Sequence, residues 1–431
     1  MTASRPTLAA CAAAFFILPS APTRQRDNAP APAKAKVECA PDNGGITLPK
    51  GFCALIVAEK LTTPRHLIVM SNGDLYVSSS RSGVIALRDT TGDGKMDVVQ
   101  EWGGGVKSSE VAIRNGYLYS DNQASIVRYP LKAGSLTPAG PVETVISGLP
   151  IGGHVAKTFV IGDDGTLYLN IGSQTNSCQK ADRQLESPGV DPCVEREHRA
   201  GIWTFNTDRI GQTAADGVHY GTGIRNSVAI TINPADKTLY VMQHGRDQLS
   251  QNWPKLFDEA KSAETPAEEM FHVMKGDDFG WPYCYYDRQQ GKKVMAPEYG
   301  GDGKTVGRCA SYKGNVTSFP GHWAPNALAF YNGKSFPAKY HNGAFIAFHG
   351  SWNRAPLPQA GFKVVFQPMA NGKATGDYEV FADDFRPATP ATPGAPGTTH
   401  RPTGLAIGPD GSLYITDDVG GTIWRVMYTG K

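Results

Sequence analysis

A polar turn followed by an alternating apolar stretch recurs six times along the chain. Most copies contain Asn-Gly or Asp-Gly and then Leu-Tyr. The copies are residues 72–77, 115–119, 164–169, 236–241, 342–347 and 410–415. Asn-Gly and Asp-Gly provide the positive φ angles of tight hairpin turns, and the alternation that follows suits a half-buried strand. The pattern therefore predicts six antiparallel β units.

A further apolar strand follows most of these copies, either closely or after an insertion. These strands are predicted at residues 84–87, 125–129, 201–205, 362–366 and 422–426. Six such units, spaced by roughly 40–110 residues, predict an all-β fold, a six-bladed β-propeller with long inserted loops. Two β-sandwiches are the alternative, but neither half of the chain has its own boundary or linker.

Helical patterning is sparse. Residues 253–270 (WPKLFDEAKSAETPAEEM) are the best helix candidate, interrupted by Pro266 and lying in an insertion. Residues 386–399 (RPATPATPGAPGTT) are rich in Pro, Thr and Ala, which predicts a mobile loop.

The N-terminus has the pattern of an export signal. Arg5 precedes a short apolar core at residues 8–18, and Pro19, Ser20 and Ala21 form a cleavage zone of small residues. The core is too short to span a bilayer, and no other segment is apolar enough to do so. We therefore expect residues 1–36 to be a signal peptide and disordered linker, residues 37–431 to be a catalytic propeller, and the location to be periplasmic or secreted.

Charge and cysteine content narrow the possible partners and the compartment. The net charge is +2, which gives no indication of a nucleic acid or membrane-surface partner. Beyond Cys11 the chain has six cysteines, and an even number in an exported protein indicates disulfides. A zinc site is not indicated, because the sequence contains no CxxC pair. Fifteen pairings are possible. The nearest-neighbour set is Cys39 with Cys53, Cys178 with Cys193, and Cys284 with Cys309.

Candidate chemistry lies in polar motifs at strand edges. Nucleophile-elbow, P-loop, HExxH and dinucleotide-binding patterns are all missing from the sequence. The motifs present are GGH at 152–154, GIRN at 223–226, FGWPYCY at 279–285, FHGSWNR at 348–354 and RPTGLAIGPDGSLYITDD at 401–418. His154, at the edge of a strand, is placed to act as a general base, with a local capping role as the alternative.

In this order, the five motifs resemble those of the soluble PQQ-dependent sugar dehydrogenases, the glucose/sorbosone dehydrogenase family. They are most similar to its sorbosone-dehydrogenase-like branch, and the resemblance covers roughly residues 51–426. It implies a six-bladed propeller that holds pyrroloquinoline quinone (PQQ) and Ca²⁺ at the mouth of its central channel. It also implies a small-molecule sugar substrate, oxidised at a hydroxyl or hydrated aldehyde, and an electron acceptor such as a cytochrome or a quinone.

The resemblance also implies roles for individual residues. His154 matches the general base that takes the substrate proton as hydride passes to the quinone. Arg225 and Asn226 match the pair at the quinone oxygens, where the Arg225 guanidinium would stabilise negative charge. Gly280, Trp281 and Pro282 match the turn whose carbonyl oxygens help to hold calcium. For Arg225 the alternative is an exposed turn arginine in a salt bridge. For Gly280, Trp281 and Pro282 the alternative is a plain aromatic turn.

Further cofactor contacts are implied less specifically. Arg401 resembles a cation facing the cofactor carboxylates, with a solvated turn arginine as the alternative. Asn353 or Arg354 matches the region of another contact. His322 and His349 are expected at the same mouth, as cofactor contacts or as packing residues.

Two departures from the family pattern keep a second class of function open. Gly153 stands where characterised glucose enzymes have an acidic residue before the base, and residues 108–110 (SSE) lack an expected Gln. A propeller that binds a carbohydrate or a protein without turnover is therefore the alternative function.

Residues 89–97 form a separate candidate metal site. They carry Asp89, Asp93 and Asp97 at an EF-hand-like spacing, but Gln100 replaces the final Glu. They form either a structural calcium site or a solvated hairpin loop.

Overall fold

Six antiparallel sheets surround one central channel in a computed structural model that describes residues 1–2, 37–104, 106–385 and 400–430. Residues 35–431 form one compact unit. Apart from residues 1–2, the predicted signal peptide and linker at residues 1–36 lie outside the described residues, as does the predicted mobile loop at residues 386–399.

Each sheet is one blade, with its innermost strand given first below. The first strand described along the chain, β1 (Phe52–Ala58), belongs to the last blade. Blade 1 contains β2 (Pro64–Val69), β3 (Leu75–Ser79), β4 (Gly83–Arg88) and β5 (Val98–Trp102). Blade 2 contains β6 (Val111–Arg114), β7 (Tyr117–Asp121), β8 (Ile126–Pro130) and β9 (Glu143–Ser147). Blade 3 contains β10 (Phe159–Ile161), β11 (Thr166–Ile171), β12 (Gly201–Asn206) and, after the short β13 (Gln212–Thr213) that pairs with β9, β14 (Val218–Thr222).

The second half of the chain supplies the other three blades. Blade 4 contains β15 (Ala229–Ile232), β16 (Leu239–Gln243), β17 (Glu268–Val273) and, after an inserted hairpin of β18 (Cys284–Asp287) and β19 (Lys292–Met295), β20 (Thr317–Phe319). Blade 5 contains β21 (Pro325–Phe330), β22 (Ala344–Phe348), β23 (Lys363–Gln367) and, after a hairpin of β24 (Met369–Ala370) and β25 (Lys373–Ala374), β26 (Glu379–Ala382). Blade 6 contains β27 (Pro402–Ile407), β28 (Leu413–Asp417), β29 (Thr422–Tyr428) and β1.

Helices are short and lie in loops. Among the described residues, the α-helices are α1 (Leu249–Asn252) and α2 (Glu259–Glu264). The 3₁₀ turns are Asn43–Gly45, Val194–Glu197, Ala214–Asp216, Pro297–Tyr299, Gly307–Ser311 and Ala338–Tyr340. The helices within the described ranges are all too short for a membrane-spanning segment.

The ring closes by pairing the two ends of the propeller. Strand β1 is antiparallel to β29, with Phe52 opposite Tyr428, so the last blade combines the first and last strands of the domain. The innermost strands contact one another in ring order, from β2 through β6, β10, β15 and β21 to β27 and back to β2. The predicted six-bladed propeller is confirmed.

The sequence repeat forms the turn and second strand of every blade. In the second copy, Asn115 and Gly116 take φ values of 49° and 77°, the left-handed pair that a tight hairpin requires. The third residue after each initial Asn or Asp is at most 2% exposed. These residues are Leu75, Leu118, Leu167, Leu239, Phe345 and Leu413. Burying each contributes about 1.5–3 kcal/mol, so the repeat places one core anchor in each blade.

The helix predicted at residues 253–270 is confirmed only at Glu259–Glu264, and the prediction is wrong before and after that segment. Helix α2 ends at Glu264, and Glu268–Val273 is the third strand of blade 4, paired with β16 on one side and β20 on the other. Glu268 and Glu269 are buried in this strand. Charged residues are untypical of a buried strand, so the sequence pattern indicated a helix instead.

All six cysteines of the propeller form disulfides in the nearest-neighbour pattern. Cys39 pairs with Cys53, Cys178 with Cys193, and Cys284 with Cys309. The second bridge lies within the β11–β12 loop and the third ties the inserted hairpin to the Gly307–Ser311 turn, so two bridges constrain loops at the same end of the channel.

Three long loops and one short loop lie at the end of the channel where β11, β16, β22 and β28 end; we refer to this end as the mouth. The loops that follow these strands are residues 172–200, 244–267, 349–362 and 418–421. Below the mouth, the innermost strands line a channel cavity of about 310 Å³. Long loops on a rigid ring of strands are the usual location of a site in a propeller.

Candidate active site

His154 lies in the loop before β10, and one of its ring nitrogens is fixed by backbone. Its Nδ1 is 2.8 Å from the carbonyl oxygen of Ser173, just after β11. A carbonyl oxygen only accepts hydrogen bonds, so Nδ1 carries the proton and Nε2 keeps its lone pair. Nε2 has no hydrogen-bond partner among the described residues. The tautomer that a general base needs is therefore set by the blade 3 backbone.

The surroundings of His154 keep the imidazole neutral. Burial and then the positive charge of Arg225 lower the pKa of His154 to about 3. The ring is therefore neutral at neutral pH, which is the protonation state that a general base has before it accepts a proton.

His154 and Asn226 meet across a glycine. A Cβ atom on Gly172 would lie 2.6 Å from the His154 Cβ and 2.7 Å from the Asn226 Oδ1. The Asn226 side chain also accepts a 3.4 Å hydrogen bond from Asn170 on β11. Gly172 thus lets two of the residues predicted by the motifs lie next to each other.

Gly153, the first departure from the family pattern, has a steric cause. Its φ is +58°, and a Cβ there would lie 2.6 Å from backbone oxygen atoms of both Ser173 and Gln174. An acidic side chain has no room at this position in the present loop.

We expect Gly153→Ala to destabilise the protein more than Gly134→Ala. Gly134 has a similar left-handed φ of +80° but open space around its Cβ position, so its variant measures the left-handed strain alone, about 1–2 kcal/mol. The clash at Gly153 is with backbone and should add at least about 1 kcal/mol. Urea unfolding of both variants provides the comparison, and equal losses would contradict the steric explanation.

Arg225 is buried in a network that uses most of its donors. Its Nε and Nη2 bond to the carbonyl oxygen and Oδ1 of Asn176 at 3.1 and 3.0 Å, and Nη1 bonds to the Gly245 carbonyl at 2.9 Å. Nη2 also forms a 3.0 Å ion pair with Asp247. These bonds use four of the five guanidinium N–H groups and leave one on Nη1. Arg225 is therefore ion-paired, as in the alternative, but it is buried and not exposed, and its charge acts on His154.

Asp247, which the sequence motifs did not reveal, joins several loops of the mouth. Its Oδ2 accepts from Arg183 and Arg225, each at 3.0 Å, and its Oδ1 accepts from Asn353 at 3.0 Å. Burial would raise the pKa of Asp247, but Arg225, His322 and Arg183 hold it well below its usual value. An ionised carboxylate thus connects four different segments around the site.

Two residues predicted as cofactor contacts, His322 and Arg354, form hydrogen bonds within the protein. His322 bonds through Nε2 to the Ser262 carbonyl at 2.8 Å, and its Nδ1 lies 3.3 Å from Asn353 Nδ2. The Arg354 guanidinium donates to the carbonyls of Ala263 and Gly321 and to Glu264. His322 adjoins the Asp247 network, whereas Arg354 ties the 244–267 loop to its neighbours; their predicted cofactor roles stay predictions.

The Gly280–Trp281–Pro282 turn is buried next to the same network. The Trp281 indole donates to the Asn176 carbonyl at 3.1 Å, and the Gly280 carbonyl accepts from the Cys284 amide at 3.0 Å. Among the described residues, the carbonyl oxygens of Trp281 and Pro282 accept no hydrogen bond, although both residues are buried. Buried carbonyl groups without partners are rare in folded proteins, so this turn has oxygen atoms to offer a ligand.

A second charged group occupies the other side of the ring, between blades 5, 6 and 1. His349 Nε2 is 2.8 Å from Asp418 Oδ1, and Arg65 forms a 2.7 Å ion pair with Asp418 Oδ2. Arg401 donates from Nε to the His349 carbonyl at 2.8 Å, and also to the Gly350 carbonyl. The structure thus brings the predicted residues Arg401 and His349 together around a carboxylate that the motif analysis did not single out.

At the second departure from the family pattern, Glu110 takes a structural position. Its Oε2 is 2.6 Å from His66 Nδ1, and His66 Nε2 is 2.8 Å from the Asn326 carbonyl. Both ring nitrogens of His66 are committed, so this pair links blades 1, 2 and 5 near the top of the channel.

The loop at residues 89–97 directs its carboxylates to its own amides. Asp89 accepts from the amides of Gly92 and Gly94 at 2.6 and 2.8 Å, and Asp97 accepts from Thr90. Across the part of the chain that the structure describes, no group of three His, Cys, Asp or Glu side chains is arranged to hold a metal ion.

Sequence comparison relates most of the chain to known proteins. The TrAA12-like family matches residues 46–429. The PQQ-dependent pyranose dehydrogenase of Coprinopsis cinerea is 25% identical over an alignment of 431 positions, which covers 88% of this chain and 54% of that protein. The chain spans about half the length of the curated relatives it matches.

Solved structures agree on the fold. The holo form of the PQQ domain of the Coprinopsis cinerea pyranose dehydrogenase has a TM-score of 0.70 at 19% identity, covering 92% of this chain and 99% of that one. A calcium structure of a Trichoderma reesei enzyme of carbohydrate-active family AA12 has a TM-score of 0.70 at 18% identity, with coverage of 92% and 99%. The predicted relationship to soluble PQQ sugar dehydrogenases is confirmed, whereas the sorbosone-like branch stays a prediction. The chain belongs to the TrAA12-like family.

Proposed function

We propose that this protein is a PQQ-dependent sugar dehydrogenase that oxidises a sugar hydroxyl or hydrated aldehyde, of aldose or sorbosone type. The observation that carries the proposal is a neutral His154 whose Nε2 has no partner in the described part of the chain, next to Asn226 and near the buried charge of Arg225. The name of the Coprinopsis cinerea relative supports the same reaction class.

The donor set of the mouth fits an anionic quinone. Arg225 has one N–H left on Nη1, and the Asn226 side-chain NH₂ donates to no group among the described residues. Arg65 and Arg401 supply positive charge on the opposite side. Fixed guanidinium groups suit carboxylate and quinone oxygen atoms because their N–H groups form a rigid fork.

The Gly280–Trp281–Pro282 turn fits a calcium ion bound through backbone oxygen. Ca²⁺ accepts carbonyl ligands and needs several of them, and the unpaired carbonyls of Trp281 and Pro282 are two. The Trichoderma reesei neighbour described as a calcium structure supports this choice.

Several residues of the chain would then have separate roles in sugar oxidation. When bound, PQQ supplies a two-electron oxidant that accepts hydride. His154 Nε2 takes the hydroxyl proton, and the Ser173 carbonyl keeps the ring oriented through Nδ1. Arg225, held by Asp247, provides a fixed positive charge beside the reacting groups, where a preorganised charge is most effective.

Electrons must then pass to an outside acceptor, for which a cytochrome or a quinone is our proposal. We also place the protein outside the cytoplasm, in the periplasm or secreted. Three disulfides and the pattern of the first 36 residues support this location.

A steady-state assay tests the proposed function. The purified protein is reconstituted with PQQ and Ca²⁺ and supplied with an artificial electron acceptor and a panel of pyranoses and ketoaldehydes. We expect dye reduction that requires protein, PQQ and one class of sugar together. Sugar binding without any dye reduction would favour the non-catalytic propeller instead.

A further inference from the structure

The mouth contains a second histidine with the geometry of a proton acceptor. We propose that His349, oriented by Asp418, accepts the second proton of the sugar oxidation, separately from His154. This inference rests on the proposed function, because it assigns a second role within the same reaction.

A comparison of the mouth histidines singles out His349. His66 and His322 use both ring nitrogens for contacts within the protein. His244 is bound through Nε2 to the Pro325 carbonyl, and burial lowers its pKa to about 4. His400 pairs with Asp417 and packs edge-on against the core residue Trp424, both on strands of blade 6.

At the mouth, His349 combines a carboxylate on one ring nitrogen with a second ring nitrogen that has no partner among the described residues. Nε2 donates to Asp418 Oδ1 at 2.8 Å, which leaves the lone pair on Nδ1, and Nδ1 has no partner among the described residues. Its side chain is 18% exposed, so water or a ligand can reach it. Arg65 fixes the other oxygen of Asp418 at 2.7 Å, so the carboxylate cannot rotate freely.

His154 and His349 differ in what their bound nitrogen faces. His154 donates to a neutral carbonyl and has Arg225 nearby, which disfavours a lasting positive charge. His349 donates to an ionised carboxylate, which stabilises an imidazolium in the way that a triad aspartate does. Burial lowers the pKa of both rings, but Asp418 opposes this effect at His349, so a proton is held more favourably on His349 than on His154.

Oxidation of the sugar releases two protons. Oxidation of a CH–OH group to C=O breaks the O–H and C–H bonds and releases two electrons and two protons in total. His154 Nε2 takes the hydroxyl proton, and the carbon-bound hydrogen leaves with both electrons to the quinone oxidant. When an external acceptor of the cytochrome or dye class removes those electrons, the second hydrogen is released as a proton, and His349 Nδ1 takes it.

Several charged groups lie close to His349 and change its pKa. Burial lowers the pKa of His349, and Asp418 opposes this effect, whereas Arg401 and Arg65 reinforce it. His244 is also close enough to interact. Replacing Asp418 with asparagine removes the one group that favours the protonated ring, so it should lower the pKa of His349 further.

The experiment separates the two half-reactions in the holoenzyme. Wild type, His349→Asn, Asp418→Asn and His154→Asn are reconstituted with PQQ and Ca²⁺, and PQQ binding is measured by absorbance. Reduction by sugar is followed anaerobically by stopped flow, and re-oxidation by a one-electron dye is followed in a second mixing step across pH 5–9. In the apoprotein, NMR follows the His349 ring protons with pH, assigned by their loss in His349→Asn.

The two histidines should affect opposite half-reactions. We expect His349→Asn to slow re-oxidation about 10²-fold, at least about tenfold more than it slows reduction, and His154→Asn to do the reverse. Asp418→Asn should lower the pKa of the His349 ring and shift the pH dependence of re-oxidation. Equal slowing of both half-reactions, or a loss of PQQ affinity alone, would overturn the proposal and leave His349 as a binding residue. No reduction in the wild type would instead refute the proposed function itself.

Discussion

Replacing His154 with asparagine is expected to lower the rate of sugar-dependent cofactor reduction by about 10³-fold. The asparagine amide reaches the position of Nδ1 and can keep the hydrogen bond to the Ser173 carbonyl, but it has no basic nitrogen to accept the hydroxyl proton. Since Nε2 has no contact within the described structure, the substitution should cost little stability. Stopped-flow reduction by a pyranose, with PQQ binding confirmed by absorbance, measures the effect.

His272→Asn is the matched control for this variant. His272 lies on β17 and stacks on Tyr240, away from the Ser173, Arg225 and Asn226 group. Its variant should reduce at close to the wild-type rate. If His154→Asn also kept that rate with PQQ bound, the assignment of His154 as the base would be wrong.

Replacing Asp247 with alanine is expected to lower both the stability of the apoprotein and its affinity for PQQ. Alanine leaves Arg225, which is 3% exposed, without its anionic partner in a buried place. Breaking a buried ion pair by removing one partner costs about 3–5 kcal/mol. The loops that carry Arg183 and Asn353 also lose a shared anchor, so the donors around the cofactor should become less ordered.

Asp163→Ala provides the control for Asp247→Ala, because its ion pair with Lys237 is largely exposed. An exposed pair contributes about 0–1 kcal/mol. Urea unfolding gives the stability and absorbance titration gives the PQQ affinity. Should Asp247→Ala not fold, Asp247→Asn keeps the shape and loses only the charge. Losses equal to those of Asp163→Ala would show that Arg225 does not depend on Asp247.

The fold was largely predictable because its main signal is local. Each repeat combines a turn that needs positive φ with an apolar residue that becomes a core anchor, as at Asn115, Gly116 and Leu118. The third strand of blade 4 escaped prediction because Glu268 and Glu269 are buried there. Burial raises the pKa of Glu268 to about 7, and the amides of Gly245 and Ala324 bind its carboxylate. Those partners come from the tertiary fold, and a local pattern does not show them.

The same limit explains what was missed in the candidate site. His154, Arg225 and Asn226 lie in short motifs that a resemblance can identify. Asp247 contacts partners that are 22, 64 and 106 residues away in the chain. Asp418 is likewise defined by Arg65 and His349 from two other blades. Carboxylates whose partners lie in distant loops can be identified only from the three-dimensional fold, because no local sequence pattern contains both the carboxylate and its partners.

Direct binding of PQQ tests the central claim most simply. The purified apoprotein is titrated with PQQ in the presence and absence of Ca²⁺, and bound PQQ is followed by its absorbance and by calorimetry. We predict saturable binding of one PQQ per chain that weakens without Ca²⁺ and in Asp247→Ala. No saturable binding to a folded wild-type protein, with Ca²⁺ present, would contradict the assignment of this mouth as a quinone site.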